Sequence, residues 1–447
     1  MLRRGLWSVT WPLLVSLTLT LSLHFVDAFF LSRVSDRAAA AAGATLPVLG
    51  AALVLFAAVS QAGCAVAAQL FGARREHEVP ATYLALVLFN LAVGLVTSTA
   101  FVLLRDVVPA WLGLSGATAA HASTYLAVLG GFQFLKATQL AYGAILNSRG
   151  ATQWVLGEAV LTNASNLALN LTFHSEIDGL PGPGVASVAI ATVISLALGL
   201  CFTALVVRYR LGVRLPIRAT SLTELRLRLR PILRIGLPSA LEPVSYQTAQ
   251  MTVNMLVISL GTAALTARVY AYNFFLMTTM LWGIAFGTGT QILIAHRVGA
   301  ARFDDANTEL VRGLRFAVLG NVALCAALAI AHPLLLRILT SDPRVHAAAS
   351  PLFFVAPFVE AGRAVNIVAG GALRSSGDAR FTSIVGMVMM WGVGVPACFL
   401  FGSWLGLGLT GVWIGMAVDE ITRGSINYLR WRRGRWKELG AVAMSGA

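Results

Sequence analysis

The sequence predicts an all-α polytopic membrane protein, with twelve transmembrane helices in two pseudo-symmetric six-helix lobes. Three observations carry that prediction. Hydrophobic residues make up 57% of the 447 and charged residues only 12%, against about 25% charged in a soluble domain, so a water-facing surface cannot be assembled. The apolar runs reach the roughly 20 residues that cross a bilayer. They lack the alternation of barrel strands, so they are helices, which satisfy their own backbone in lipid. The third observation is a duplication. GAILNSRG at 143–150 returns as GALRSSGD at 371–378, FGAR at 71–74 as VGAAR at 298–302, and GVASV at 184–188 as GVWIG at 411–415. Pro12 and Pro238 share the same offset of 226 to 228 residues.

The elements follow in order. Span 1 (6–32) comes after Arg3 and Arg4. It resembles a signal peptide, but its apolar run continues to Phe30 and contains Asp27, so it reads as the first transmembrane helix. Spans 2 (44–70) and 3 (80–104) are apolar runs, span 4 (121–146) contains Lys136, and span 5 (153–174) contains three asparagines. Span 6 (184–208) closes an N-lobe of residues 1–207. A basic linker, 208–231, carries the capping-box pattern Ser221–Glu224 ahead of LRLRLRPILR. It reads as a short interfacial helix whose arginines reach lipid phosphates, or else as a plain basic loop. The C-lobe, 232–447, holds span 7 (232–259), with Pro238 at its start as Pro12 opens span 1, and span 8 (264–296), with GIAFGTGTQ allowing close helix approach. Spans 9 (310–338), 10 (347–373), 11 (381–402) and 12 (409–431) follow. Pro357 and Pro396 remove backbone hydrogen bonds inside spans 10 and 11. The four cysteines, Cys64, Cys201, Cys325 and Cys398, sit in apolar runs without metal or redox spacing and read as small packing residues.

Charge placement orients these spans. With the N-terminus inside, cytoplasmic segments hold 24 of the 33 Lys and Arg and external loops six. That bias places both termini in the cytoplasm. It also accounts for the net charge of +14 without any nucleic-acid partner.

Ionisable residues within spans are costly and therefore informative. Asp419 and Arg423 are four apart on span 12, Glu360 and Arg363 three apart on span 10, and each pair can be a structural ion pair. Lys136 has no acid within four residues, and its repeat mate is Arg363. Glu158 suits the start of span 5. Asp27 lies about 20 residues into span 1, with Arg33 the nearest basic residue and His24 one turn earlier. A carboxylate in low dielectric without a fixed counter-charge is poised to take and release a proton. Asn163, Asn166 and Asn170 stripe span 5, and the last two share the depth of Asp27. Buried amides need partners, so the stripe faces a cavity or other helices. Glu242 on span 7 is the best acid of the second half for a substrate or cation, and Tyr246 and Gln250 follow on its face. No nucleophile, metal or nucleotide motif is present, including G-x-x-x-x-G-K-[ST], so neither an enzyme nor direct use of ATP is expected. A duplicated hydrophobic chain with polar residues between apolar helices is a ground plan of secondary transporters.

From Trp11 to Trp436 the chain resembles the multidrug and toxic compound extrusion (MATE) family. The resemblance rests on GALRSSGDARF at 371–381, LGTAALTA at 260–267, VGAARFDDA at 298–306 and GVWIGMAVDEITRGSINYLRWRRGRW at 411–436. It implies two six-helix lobes around a central cavity, and export of cationic and amphipathic drug-like compounds by antiport against protons or sodium, with no cofactor. It implies further that Asp27 matches the first-helix acid of the coupling site. Asn166 and Asn170 match its fifth-helix pattern, with Asn where an acid often stands. Where sodium-coupled relatives carry acids, this chain has Tyr246 on span 7 and Arg363 near the span 10 position. An arginine opposes sodium, which favours the proton; Glu360, one turn away, leaves a shifted cation site open.

The expected coupling residues are thus Asp27, Asn163, Asn166 and Asn170. Those expected around a substrate cavity are Lys136, Glu242, Tyr246, Gln250, Glu360, Arg363 and Asp419. The expected setting is a bacterial inner membrane, with a monomer in the lipid bilayer. Two rival readings are a flippase of lipid-linked oligosaccharide precursors from the same superfamily and a non-transporting membrane sensor or scaffold.

Overall fold

Twelve long helical segments and no strand make up the described part of the computed structural model, residues 5–174, 182 and 184–439. Arg3 and Arg4, which enter the charge count, lie outside it. The segments are α1 (Leu6–Val34), α2 (Asp36–Gly72), α3 (Val79–Leu103), α4 (116–148), α5 (Thr152–Phe173) and α6 (Val185–Leu205). The second half gives α7 (Leu222–Ser259), α8 (Thr262–Gly299), α9 (Phe303–Leu339), α10 (Pro343–Ser375), α11 (Ala379–Trp404) and α12 (Gly408–Arg432). Turns of π-helix interrupt α4 at Leu126–Gly130, α8 at Leu276–Met280 and α11 at Met390–Gly394.

Among the described residues, eight helices are long and apolar enough to cross a membrane by length and composition. The other four, α4, α5, α7 and α12, are the ones that carry Lys136, the asparagines, the linker arginines and the Asp419–Arg423 segment. Their polar side chains lower the apolar average and also need partners inside the protein. The large apolar side chains left outside, such as Ile330 (82% exposed) and Ile338 (72%) on α9, suit contact with lipid.

Two compact units divide the described residues. One comprises 15–67 and 75–237, the other 5–14, 68–74 and 238–439. The core of the first gathers Phe30 and Leu31, Leu49, Tyr125 and Leu126, and Val185 and Val188. The core of the second gathers apolar residues from α7 to α12, including Val257, Phe275, Phe353 and Trp413. The first turns of α1 belong to the second unit because Trp7 meets Phe286 (ring centroids 6.0 Å apart) and Trp282 (6.3 Å).

The duplicated FGAR and VGAAR segments meet inside this second unit. A Cβ on Gly72 would lie 2.8 Å from the amide nitrogen of Ala300, and one on Gly299 would lie 2.6 Å from the Cα of Gln69. The helix ends cross backbone to backbone there, which only glycine permits. Gln69 Nε2 donates to the Ser375 carbonyl, and Phe71 stacks on His296. The two helices then end alike: Arg74 (φ 59°) and Ala301 (φ 56°), both just past the glycine, are the non-glycine residues with left-handed backbone among those described.

Three local expectations change. The linker does not form a separate interfacial helix: Ser221 Oγ accepts from the Glu224 amide (3.2 Å), and the helix it starts continues through residue 232 to Ser259 as α7. Pro12 and Pro238 do not open their helices, because α1 and α7 begin at Leu6 and Leu222. Cys201 is exposed, whereas Cys64, Cys325 and Cys398 are buried.

Gly299→Val should cost about 1–3 kcal/mol through overpacking. It is expected to lower the thermal midpoint of detergent-solubilised protein by several degrees. Gly143→Ala, where a Cβ would meet nothing within 4 Å, should leave the midpoint unchanged or raised; fluorescence-detected size-exclusion after heating measures both.

Candidate functional site

The strongest cluster lies in the first unit, where α1, α5 and α6 meet. Asp27 is 4% exposed and Asn166 and Asn170 are fully buried. Asp27 Oδ1 accepts from Asn166 Nδ2 (3.0 Å) and from Asn170 Nδ2 (3.5 Å), and Oδ2 accepts from Thr192 Oγ1 (2.8 Å). Asn166 Nδ2 also reaches Thr192 Oγ1 at 3.2 Å, and Asn170 Nδ2 reaches the Asn166 carbonyl at 3.1 Å. Every neighbour donates and none is charged. Among the described residues Asp27 forms no salt bridge. A buried carboxylate held this way is partly compensated by charge-assisted hydrogen bonds, but its desolvation is not offset by a counter-charge.

The buried face of α5 is Thr162, Asn166 and Asn170, at i, i+4 and i+8. Asn163 lies off this face and bonds its own helix, with Nδ2 donating to the Ala159 carbonyl at 2.9 Å. It is therefore not among the hydrogen-bond donors to Asp27. Thr192 takes that place, and the sequence reading missed it. The available signal was a polar residue, with Ser195 one turn on, inside the apolar run of α6.

Asp27 borders a cavity of about 410 Å³ lined by α1, α2, α4 and α6. A smaller void of about 80 Å³ touches it on the side of Ala39 and Ala42. Leucines are the commonest residues of the larger wall, and besides Asp27 itself His24, Gln133, Lys136 and Thr192 are among those that bring polarity. Lys136 Nζ donates to Gln139 Oε1 (3.1 Å), Gln139 donates to Glu158, and Thr162 Oγ1 also donates to Glu158 (2.8 Å). This chain of bonds ties α4 to the same face of α5 that holds Asp27.

The second unit arranges its charges differently. Gly362 and Gly424 let α10 and α12 approach closely: a Cβ on Gly424 would lie 3.0 Å from the Gly362 carbonyl oxygen. Between them Arg363 pairs with Glu360 and, at 3.2 Å, with Glu420. Arg423 pairs with Asp419 (2.6 Å) and Glu420 (3.2 Å), and Asn366 donates to Glu420 (3.0 Å). All five charged groups are buried, and each carboxylate has an arginine.

The other expected cavity residues separate accordingly. Only Lys136 lines the larger cavity. Glu242 is tied to Arg374 at 3.1 Å, a partner supplied from α10. Gln250 accepts from Arg268 at 2.7 Å. Tyr246, Gln250 and Asp419 border a void of only about 20 Å³. Glu360 and Arg363 border none of these three cavities; they pair with each other on α10, and Arg363 also with Glu420 on α12. Arg374 and Arg268 were missed because their partners are distant in sequence, whereas Glu420, three residues before Arg423, was open to the same spacing argument as Glu360 and Arg363 and was passed over.

The comparisons with known proteins agree with this architecture. The sequence model of the MatE family matches residues 12–172 and 238–400, two segments separated by the same 226 to 228 residues as the repeats in the sequence. The chain is 32% identical over 436 residues to the uncharacterized transporter YisQ of Bacillus subtilis, covering 98% of this chain and 95% of that one. It is 24% identical over 449 residues to the probable multidrug resistance protein NorM of Thermotoga maritima, covering 99% and 94%. Among solved structures it superposes on the outward-facing conformation of a multidrug resistance MATE family transporter with a TM-score of 0.89 at 20% identity, covering 98% of both chains. It superposes on MATE in the bent conformation with a TM-score of 0.88 at 20% identity, covering 98% of this chain and 96% of that one. At such identity these superpositions speak to the fold. With a family match over most of its length and a fold to suit it, this chain belongs to the MatE family of multi-pass membrane transporters.

Proposed function

We propose that this transporter is a multidrug efflux antiporter. It exports cationic and amphipathic compounds in exchange for protons, and Asp27 is the group through which the two are coupled. The observation that carries this reading is a buried carboxylate without a counter-charge, held by three neutral donors on two other helices, at the edge of a drug-sized cavity. The names of its NorM relatives support the substrate class.

The bonding suggests how a proton acts. With Asp27 ionised, its oxygens draw donors from α5 and α6 onto α1. A proton on Oδ1 turns it toward donation, and the amide nitrogens facing it, which cannot accept, lose a partner; a proton on Oδ2 reverses the bond to Thr192, whose hydroxyl can accept. The cluster then re-pairs, and the preferred packing of α1 against α5 and α6 changes. Exchange follows if proton and drug favour opposite packings or compete at the cavity edge. Alternating access then carries the cavity from one side of the membrane to the other.

Proton rather than sodium coupling is favoured by the polarity of the cluster. Asn166, Asn170 and Thr192 present N–H and O–H groups to the carboxylate, whereas sodium needs several oxygen ligands turned toward it. In the second unit, each acid of the α10–α12 network already has an arginine. The excess of basic residues in alternate loops supports a multi-pass chain in a bacterial cytoplasmic membrane with both termini inside. We read it as a monomer, as the family resemblance suggests.

In proteoliposomes, a proton gradient should drive ethidium transport by the wild type, and a sodium gradient alone should not. Asp27→Asn keeps the shape of the side chain and should lower proton-driven transport at least tenfold; full proton-driven transport by this variant would refute the coupling role. Thr192→Val removes the donor to Oδ2 at nearly constant volume. It should slow transport several-fold, while Thr192→Ser, which retains the hydroxyl, should stay within about twofold of wild type.

A further inference from the structure

The arginines that begin α7 divide by helix face. Arg228, with its side chain 17% exposed, pairs with Glu78 and, one turn back, with Glu224. Arg226, Arg230 and Arg234 recur every four residues on another face, and all three are exposed. Among the described residues none of these three has an acidic partner. Like charges four apart on a helix repel one another, and no salt bridge within the described residues offsets that repulsion.

The other side of this segment is packed. Ile232 is fully buried, Ile235 is 5% exposed, and a Cβ on Gly236 would lie 3.0 Å from the Cα of Val59 on α2. The arginine face therefore points away from the protein. Further along α7, Leu237, Leu241, Val244, Met251, Met255 and Ile258 are between 46% and 68% exposed. At 3.6 residues per turn they continue the stripe of Arg226, Arg230 and Arg234. From Leu237 to Ile258 the helix rises roughly 32 Å, close to the roughly 30 Å hydrocarbon thickness of a bilayer. Arg234 thus lies about one turn beyond the hydrocarbon edge and Arg230 about two, where their long side chains reach the headgroups.

We infer that Arg226, Arg230 and Arg234 form a headgroup site that retains an anionic phospholipid, with the acyl chains of the lipid lying along the apolar stripe of the same helix. A guanidinium donates paired hydrogen bonds to phosphate oxygens, so arginine suits this position. A headgroup with net negative charge offsets the repulsion within the ladder. A zwitterionic headgroup brings a cation that the three guanidiniums repel. The basic segment that joins the two units is then fixed by lipid at the bilayer surface, although it does not form a separate interfacial helix. None of this depends on which compound is carried or which ion drives it.

The test is native mass spectrometry of the purified full chain in detergent, titrated with phosphatidylglycerol or phosphatidylcholine of identical acyl chains. Wild type is expected to bind its first phosphatidylglycerol roughly tenfold more tightly than phosphatidylcholine, the scale set by a few arginines near a lipid surface. The double variant Arg230→Gln/Arg234→Gln should bring that ratio to about twofold or less, as the loss of two such charges implies. Arg344→Gln, which removes an exposed arginine of another segment, should leave the ratio unchanged. Inorganic phosphate equimolar with the lipid should not displace it, since phosphate has no chains to lie along α7. Equal affinity of wild type for the two lipids, an undiminished ratio in the double variant, an equal loss in Arg344→Gln, or displacement by inorganic phosphate would overturn the inference. Monodisperse elution and unchanged phosphatidylcholine binding by the double variant separate loss of the site from loss of fold.

Discussion

A carboxylate sealed in an apolar helix bundle must be met by the protein or by a proton, and in the first unit that requirement falls on Asp27. Its partners come from α5 and α6, 139 to 165 residues away in sequence. The cluster therefore does structural work while it prepares for chemistry. It holds three helices together through donors that are individually neutral, so their grip depends on the carboxylate being charged. A buried ion pair with an arginine would have resisted such a change, because removing one charge would strand the other. Neutral donors lose less when the proton arrives.

The second unit shows the alternative. The same duplicated scaffold places Arg363 where the first half has Lys136, but the two side chains are used differently. Arg363 is locked between Glu360 and Glu420, in a network that also binds Arg423 and Asp419 across the close approach of α10 and α12. Lys136 makes its one hydrogen bond to the neutral Gln139, which links it to Glu158, and borders open space. One unit has spent its charges on packing. The other retains a charged wall and a cavity some twenty times the volume of the void beside Asp419. A duplication supplies helices in equivalent places; the side chains then divide the labour.

Much of the candidate site was legible because helix geometry is local. The interval of four between Asn166 and Asn170 puts both amides on one face, and the depth of Asp27 in its span matches theirs. The same arithmetic failed at Asn163, because an i, i+3, i+7 stripe is wide enough to straddle two faces. Only packing showed that the buried one runs through Thr162. Thr192 was invisible for a different reason: threonine inside an apolar helix usually bonds its own backbone, as Thr192 also does with the Val188 carbonyl (3.1 Å). Its second bond, to Asp27, depends on which helix lies opposite.

Composition and helical periodicity establish the class of molecule, the number of long helices, the duplication and the charges that a bilayer would not tolerate unpaired. These follow from composition and from periods of three to four residues, which need no knowledge of the rest of the chain. The sequence also marked Gly72 and Gly299 as equivalent points of the repeat. Tertiary structure alone decided that those two glycines meet, that Glu242 pairs with Arg374 rather than with a ligand, and that Lys136 faces a cavity while Arg363 does not. Each of those outcomes joins residues more than a hundred positions apart or depends on space left between helices. Low-dielectric interiors make such pairings energetically decisive, yet the linear order of residues carries no record of which helix faces which.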